Sequence, residues 1–364
     1  MTPRERWMCL LNGKTPDRIP TDYQATIEIT NRLKSDLGCG DMETLFRHFD
    51  IDGKLVFDAN YIGAAPLTPP HLASGLGVAD EPADNADSDT DVWGVKYSDI
   101  QYGTGAYREV AHHPLADAQS PQDVHRHRWP CVDDFDFSRI AKKLDNHDSS
   151  RIVLCGWYEP FLIYCAMRGM EQSFEDLLCN PEIADAILGH LFDFFHEFNR
   201  RLFEAGKGRI DLTYVAEDLG GQTGPLMSLE VYRRFLLPNQ IKMADLARRY
   251  NIHIIYHTDG AARIFLPDLV DRVGIELLNP IQWRCPGMDR VGLVRDFGRQ
   301  IIFHGAVDNQ QTLSFGTVDD VIAEVRQTRD IFSKCRWICG PCHNLQPVTP
   351  TANIYAMYQT INES

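Results

Sequence analysis

Residues 210–260 read IDLTYVAEDLGGQTGPLMSLEVYRRFLLPNQIKMADLARRYNIHIIYHTDG. Two β-rich runs, Ile210–Ala216 and Ile252–His257, bracket a segment, Leu229–Tyr250, whose apolar residues recur at helical spacing. Strand, helix and strand in that order predict a crossover unit with two parallel neighbours in one sheet. The same rhythm extends both ways along the chain. Arg18–Gln24 (RIPTDYQ), Lys54–Asp58 (KLVFD) and Ile152–Gly156 (IVLCG) precede it; Ile275–Asn279 (IELLN), Ile301–Gly305 (IIFHG) and Arg336–Gly340 (RWICG) follow. Helical patterns at Pro181–Ala205 and Val318–Ser333 lie between them, and Pro181 suits a first helical turn. Eight such strands predict a single (β/α)8 barrel over residues 1–364. The rival, a doubly wound open sheet with a dinucleotide site, lacks a G-x-G-x-x-G after any early strand.

One interval breaks the rhythm. Residues 59–151 form a long excursion between the second and third strands, rich in Pro, Asp and Gly up to Asp91. Val92–Ile100 and Ala106–Ala111 alternate around a Gly103–Gly105 turn, which predicts a β-hairpin. A lid over the barrel mouth and plain packing over it are equal readings of so long a connection.

The chain has 364 residues, 44% of them hydrophobic and 24% charged, with Lys+Arg 36 against Asp+Glu 51 and a net charge of −15. That composition predicts a globular core and no nucleic-acid partner, since no basic patch is available. No run approaches the roughly 18 apolar residues of a membrane helix, and the N-terminal segment does not read as a secretory signal. Ten scattered cysteines predict reduced thiols in a cytoplasmic protein.

In a barrel the chemistry sits where the strands end. Those ends carry Asp22, Asp58, Glu159, Glu217 with Asp218, His257 with Asp259, Gln282, His304 with Asp308, and Cys342 with His343. The sharpest group is His257-Thr258-Asp259-Gly260: on an extended chain His257 and Asp259 point the same way. An imidazole beside a carboxylate either binds a metal or forms a structural pair. Cys339-Gly340-Pro341-Cys342-His343 has Cys-x-x-Cys spacing, but Pro347 and Pro350 argue against the long helix that a thioredoxin-type motif needs. His257 and Asp259 with either Cys342 or His343 would make three protein ligands and an open position, the catalytic zinc pattern. After Glu217-Asp218, the pair Gly220-Gly221 signals either a ligand against the backbone or a tight turn.

Taken together, AEDLGGQTGPLMSLEVYRRFLLP (216–238), the HTDG of 257–260, LLNPIQ (277–282), FHGAVDNQQTL (303–313) and GPCHNLQPVTPTANIYAMY (340–358) resemble the uroporphyrinogen decarboxylase superfamily. Asp91-Val92-Trp93-Gly94-Val95 resembles its corrinoid-dependent methyltransferase-like branch. The resemblance covers nearly the whole chain in order and implies the same barrel. True decarboxylases of the family carry an arginine-rich segment after strand one; here Tyr23-Gln24-Ala25-Thr26-Ile27-Glu28 stands there. The methyltransferase branch has His-x-Cys on strand five and a late Cys as zinc ligands; His257 matches the first, Asp259 replaces the second, and Cys342 or His343 matches the third.

The resemblance thus implies a zinc-dependent methyltransferase moving a methyl group between a small, methoxylated or similar molecule and a corrinoid protein. The corrinoid would be supplied by that partner. Glu217, Asp218 and Asp58 are its candidate catalytic groups, and Gln282, Tyr23 and Trp157 its substrate-binding ones, with a homodimer allowed. A metal-free decarboxylase using Asp58 and His343, and a non-catalytic barrel subunit, are the alternatives.

Overall fold

The computed structural model describes residues 1–63, 89–102, 105–147 and 149–363. A parallel sheet of seven strands forms its centre: Lys54–Phe57, Ile152–Cys155, Leu212–Ala216, His253–His257, Leu277–Asn279, Ile302–Val307 and Arg336–Pro341, neighbours in that order. Helices connect them, among them Pro181–Gly206, whose Ala184, Leu188, Leu191, Phe195, Phe198 and Leu202 are buried at the expected spacing. The expected helix Leu229–Tyr250 is instead two, Leu229–Phe235 and Leu237–Arg249. Pro238 has no N–H for the preceding turn, so the chain restarts there.

The expected first strand, Arg18–Gln24, is a correction: it forms no ladder strand, so the sheet has seven members rather than eight. It closes the ring by single bonds. Thr21 bridges Cys339 in parallel, Ala25 bridges Leu345, and Gly53 N–H donates to the Thr21 carbonyl at 2.9 Å. Pro20 cannot donate, and the Thr21 N–H goes to the Asp52 carboxylate at 2.9 Å, so on the side facing Lys54–Phe57 the segment loses the donor that a regular ladder would use there.

Side chains facing inward make a core of their own: Val56, Ile152, Leu154, Leu212, Tyr214, Ile255, Leu277, Ile302 and Ile338. Trp7, Leu10 and Leu11 of the helix Pro3–Leu11 join it. Arg4 N–H donates to the Ser150 carbonyl and the Arg4 side chain pairs with Asp211, both just before strands begin. The helix therefore floors the barrel at the end opposite the site.

Between the strands Lys54–Phe57 and Ile152–Cys155, Lys96–Tyr102 and Gly105–His112 pair antiparallel. The turn expected at Gly103 and most of the Pro-, Asp- and Gly-rich stretch before Asp91 lie outside the described residues. Asp91 anchors the near end: its carboxylate accepts from the N–H of Trp93 and Val95 and from Tyr97 Oη. That turn drives the buried Trp93 ring against Phe194 and Phe195 of the long helix. Among the described residues no helix is long and apolar enough to cross a membrane.

Candidate metal centre

At the C-terminal ends of the strands, one nitrogen each of His257 and His343 and one carboxylate oxygen of Asp259 all lie within 4.8 Å of one another. His257 Nε2 is 3.9 Å from Asp259 Oδ1, and His343 Nε2 is 3.6 Å from Asp259 Oδ2. Donors on a tetrahedral zinc with bonds of about 2.0–2.2 Å stand roughly 3.3–3.6 Å apart, so the His343–Asp259 pair is already near that spacing and the wider pairs would have to draw in.

Two further observations fit a cation. Asp259 Oδ1 is buried and accepts no hydrogen bond. An orphaned buried carboxylate oxygen is costly unless something positive meets it. His257 Nδ1 faces Asn279 Oδ1 at 2.8 Å. An amide oxygen only accepts, so the proton sits on Nδ1 and the Nε2 lone pair faces the carboxylates.

Backbone packing sets this geometry. The loops after the third and fourth sheet strands touch main chain to main chain. A Cβ on Gly220 would lie 2.4 Å from Ala261 N, and one on Gly260, where φ is +71°, would lie 2.3 Å from the Gly220 carbonyl oxygen. Ala261 N–H donates to the Gly221 carbonyl at 2.9 Å, and Asp259 N–H to Asp218 Oδ1 at 3.0 Å. The two glycines thus serve loop-on-loop packing. They hold Asp218 and Asp259 side by side, with Asp218 Oδ1 3.8 Å from His257 Nε2.

The electrostatics are strongly acidic. Burial alone would depress the His257 imidazole, but Asp259, Asp218 and Glu159 outweigh it and raise its pKa above the ordinary value. Burial lowers that of His343, against the pull of Asp259. Glu159 accepts from Trp157 Nε1 at 3.0 Å, and burial together with Asp218 pushes its carboxyl up to about 8. Glu159 therefore carries a proton at neutral pH.

The other expected site residues are distributed as follows. Trp157 borders the cluster, its ring 6.2 Å from that of His257. Glu217 is fully buried, with both oxygens on the Phe161 N–H at the start of the helix Pro160–Arg168; burial and Glu159 raise its pKa. Gln282 Oε1 accepts from Gly260 N–H at 2.7 Å, bracing the turn after Asp259. Cys342 is buried with Sγ 3.0 Å from the Ile281 carbonyl oxygen, outside the three-donor group. Tyr23 lies in the outer core with Oη 3.0 Å from Thr30 Oγ1. Asp58 accepts from Ala59 N–H at 2.7 Å, and burial raises its pKa to about 7. The structure does not bring Tyr23, Asp58 or Cys342 to the cluster.

Sequence reasoning gave Glu159 no role and passed over Asn279. Glu159 stands at a strand end like its acidic neighbours, and nothing in its own surroundings in the sequence reveals the burial. Asn279 has one signal: it ends a strand whose alternation turns it inward with Leu277.

A sequence search of curated proteins finds no match. Among solved structures, the fold is shared with a methyltransferase from Methanosarcina mazei: 18% identity, TM-score 0.64, 100% of this chain and 99% of that one. The IOLI protein with a binding zinc atom matches at 14% identity and TM-score 0.35 over 67% of this chain and 82% of that one. The family model for uroporphyrinogen decarboxylase (URO-D) matches residues 106–364. That span exceeds half of the sequence, and the chain belongs to the uroporphyrinogen decarboxylase family.

Proposed function

We propose that the protein is a zinc-dependent methyltransferase of this family, moving a methyl group between a small methoxylated molecule and the corrinoid of a partner protein. The observation that carries the reading is the convergence of His257 Nε2, Asp259 and His343 Nε2 around an orphaned carboxylate oxygen. Two imidazoles and a carboxylate with an open side make a catalytic rather than a structural zinc set. Bound there, zinc would supply Lewis acidity toward the oxygen that loses its methyl group.

The chain's own residues do the rest. Asp218 holds the Asp259 backbone, and Asn279 holds the His257 ring. Glu159, protonated and held by the Trp157 indole N–H, would give its proton to the departing oxygen, with Trp157 as a wall for the substrate. The solved neighbour of like fold is itself a methyltransferase, which supports the reaction class. Exposed apolar side chains follow several of the strands, Leu162, Leu226, Ile264 and Val348, with Ile27 after the bridging segment Arg18–Gln24. They offer a landing surface for the corrinoid protein. In this reading residues 1–364 are one barrel unit and 59–151 an excursion, with its antiparallel pair as the lid.

The test is direct. Gently purified protein is analysed for metal, then incubated with cob(I)alamin and a panel of methoxylated donors while methylcobalamin absorbance is followed. About one zinc per chain is expected, as a single three-ligand site requires, with methylcobalamin formed only by loaded protein. Metal-free protein that releases CO2 from small carboxylates would establish the decarboxylase instead. Protein without metal or either activity would leave the non-catalytic barrel.

The last ligand has its own test. His343→Ala is expected to weaken zinc binding at least about 10-fold, while Cys342→Ser leaves it unchanged, because only His343 reaches the other two donors. Chelator competition reads both; the opposite ranking would move the site to the thiol.

A further inference from the structure

We propose that Asn279, His304 and Asp22 form a buried positioning chain, anchored by Lys54, that fixes the His257 ring with its proton on Nδ1 and its Nε2 lone pair toward the metal centre. The inference rests on the metal reading above and reaches residues that touch neither metal nor substrate.

The register puts the first three links side by side. His257 pairs with Asn279, and Leu278 with Phe303, so the inward side chains of His257, Asn279 and His304 stand on three consecutive strands. Asn279 Oδ1 accepts from His257 Nδ1, and Asn279 Nδ2 donates to His304 Nδ1. His304 Nε2 donates to Asp22 Oδ2 at 2.9 Å, and Lys54 Nζ pairs with the same oxygen. On the strand between His304 and Asp22, Gly340 offers no side chain; a Cβ there would lie 3.2 Å from the Asp22 carbonyl oxygen. Asp22, Lys54, Asn279 and His304 are each no more than 2% exposed, so water does not supply substitute partners.

The chain has one consistent proton pattern. Asp22 is a carboxylate against a lysine, so it accepts, and His304 must donate from Nε2. A neutral His304 then accepts at Nδ1, which requires the amide nitrogen of Asn279 there and turns its oxygen to His257. Flipping the amide would set two acceptors, the amide oxygen and His304 Nδ1, face to face unless His304 carried both protons. Every link thus selects the tautomer of the next, and the last link leaves Nε2 free to bind a cation.

The test uses wild type, His304→Leu, His304→Gln and Asn279→Ala, each full-length. Imidazole 15N NMR of the metal-free proteins reads the His257 tautomer; competition with a chelating dye reads Co2+ affinity. Wild type is expected to show the Nδ1–H form. His304→Leu is expected to show mixed tautomers and roughly 10–100-fold weaker Co2+ binding, the usual loss when a ligand's outer partner is removed. His304→Gln, which can accept and donate at the two positions, is expected to restore both. Should His304→Leu not fold, Asn279→Ala breaks the chain while leaving Lys54, Asp22 and His304 paired. Pure Nδ1–H and unchanged Co2+ affinity in the broken chains, with only a lower melting point, would overturn the proposal. A wild type that binds no Co2+ would overturn the metal reading, while the NMR would still decide the chain.

Discussion

His257→Ala is expected to lower zinc or Co2+ affinity by more than about 100-fold and to abolish methyl transfer, while the thermal midpoint moves little. Loss of an outer partner costs about 10–100-fold, and loss of a ligand removes a bond outright. The His257 ring is also fixed from behind, by Asn279, whereas Asp259 and His343 face each other across 3.6 Å. Its side chain is 15% exposed at the barrel mouth, so alanine leaves a water-accessible gap rather than a sealed cavity. The same site has a pH signature. The acidic neighbours raise the His257 pKa above its ordinary value, so protons compete with metal at higher pH than for a free imidazole. Metal affinity should therefore fall toward acid pH, starting above the roughly 6.5 of an ordinary imidazole. Dye competition between pH 6 and 8 measures it; an affinity independent of pH, or full affinity in the alanine variant, would remove His257 from the site.

Lys54→Met should produce the largest loss of stability of any single replacement considered. Lys54 and Asp22 form an ion pair with both side chains only 1% exposed. Removing one partner of a buried pair costs about 3–5 kcal/mol, because the other charge is left without compensation. His304 still donates to Asp22, which places the expected loss toward the lower end. Acid titration of the wild type carries the matching sign. Burial would raise the Asp22 carboxyl, but Lys54 and His304 bring it down to about 2. An unfolded aspartate titrates near 3.9, so this group stabilises the fold above about pH 4 and its contribution fades as pH falls toward 2. In Lys54→Met that acid-side loss should shrink, since less of the depression remains. Urea midpoints at pH 7 and pH 3.5 for both proteins check the two statements together; equal midpoints at pH 7 would show that the pair contributes nothing.

Much of the barrel was legible because parallel strands buried on both faces read as apolar runs, and KLVF, IVLC and IIYH are of that kind. RIPTDYQ reads similarly, yet Pro20 and the capture of Thr21 N–H by Asp52 leave it with single bridges. Periodicity registers apolar spacing and is blind to where a donor goes. At the site, alternation along HTD turns His257 and Asp259 the same way, and in the fold His257 Nε2 lies 3.9 Å from Asp259 Oδ1. It could not choose between adjacent Cys342 and His343, because that choice depends on the turn after Pro341, which sends the thiol to Ile281. Glu217 and Glu159 illustrate a second limit: both are acids at strand ends, yet one caps a buried helix start and the other holds a proton beside the imidazole. Both are buried; the partner separates them, the Phe161 N–H for one and the Trp157 indole for the other, and partners come only from the assembled fold.

The bridges from Thr21 to Cys339 and from Ala25 to Leu345 join positions about as remote along the chain as this sequence allows. A ribosome would release the first of these partners long before translating the second. The ring can therefore shut only after residues 339–345 have been made, and until then the floor helix has no complete wall to plug. Contacts of such long range slow folding. A nascent chain of this kind spends its growth with an open seam, a period in which a chaperone's shelter would matter more than any stability of the finished barrel.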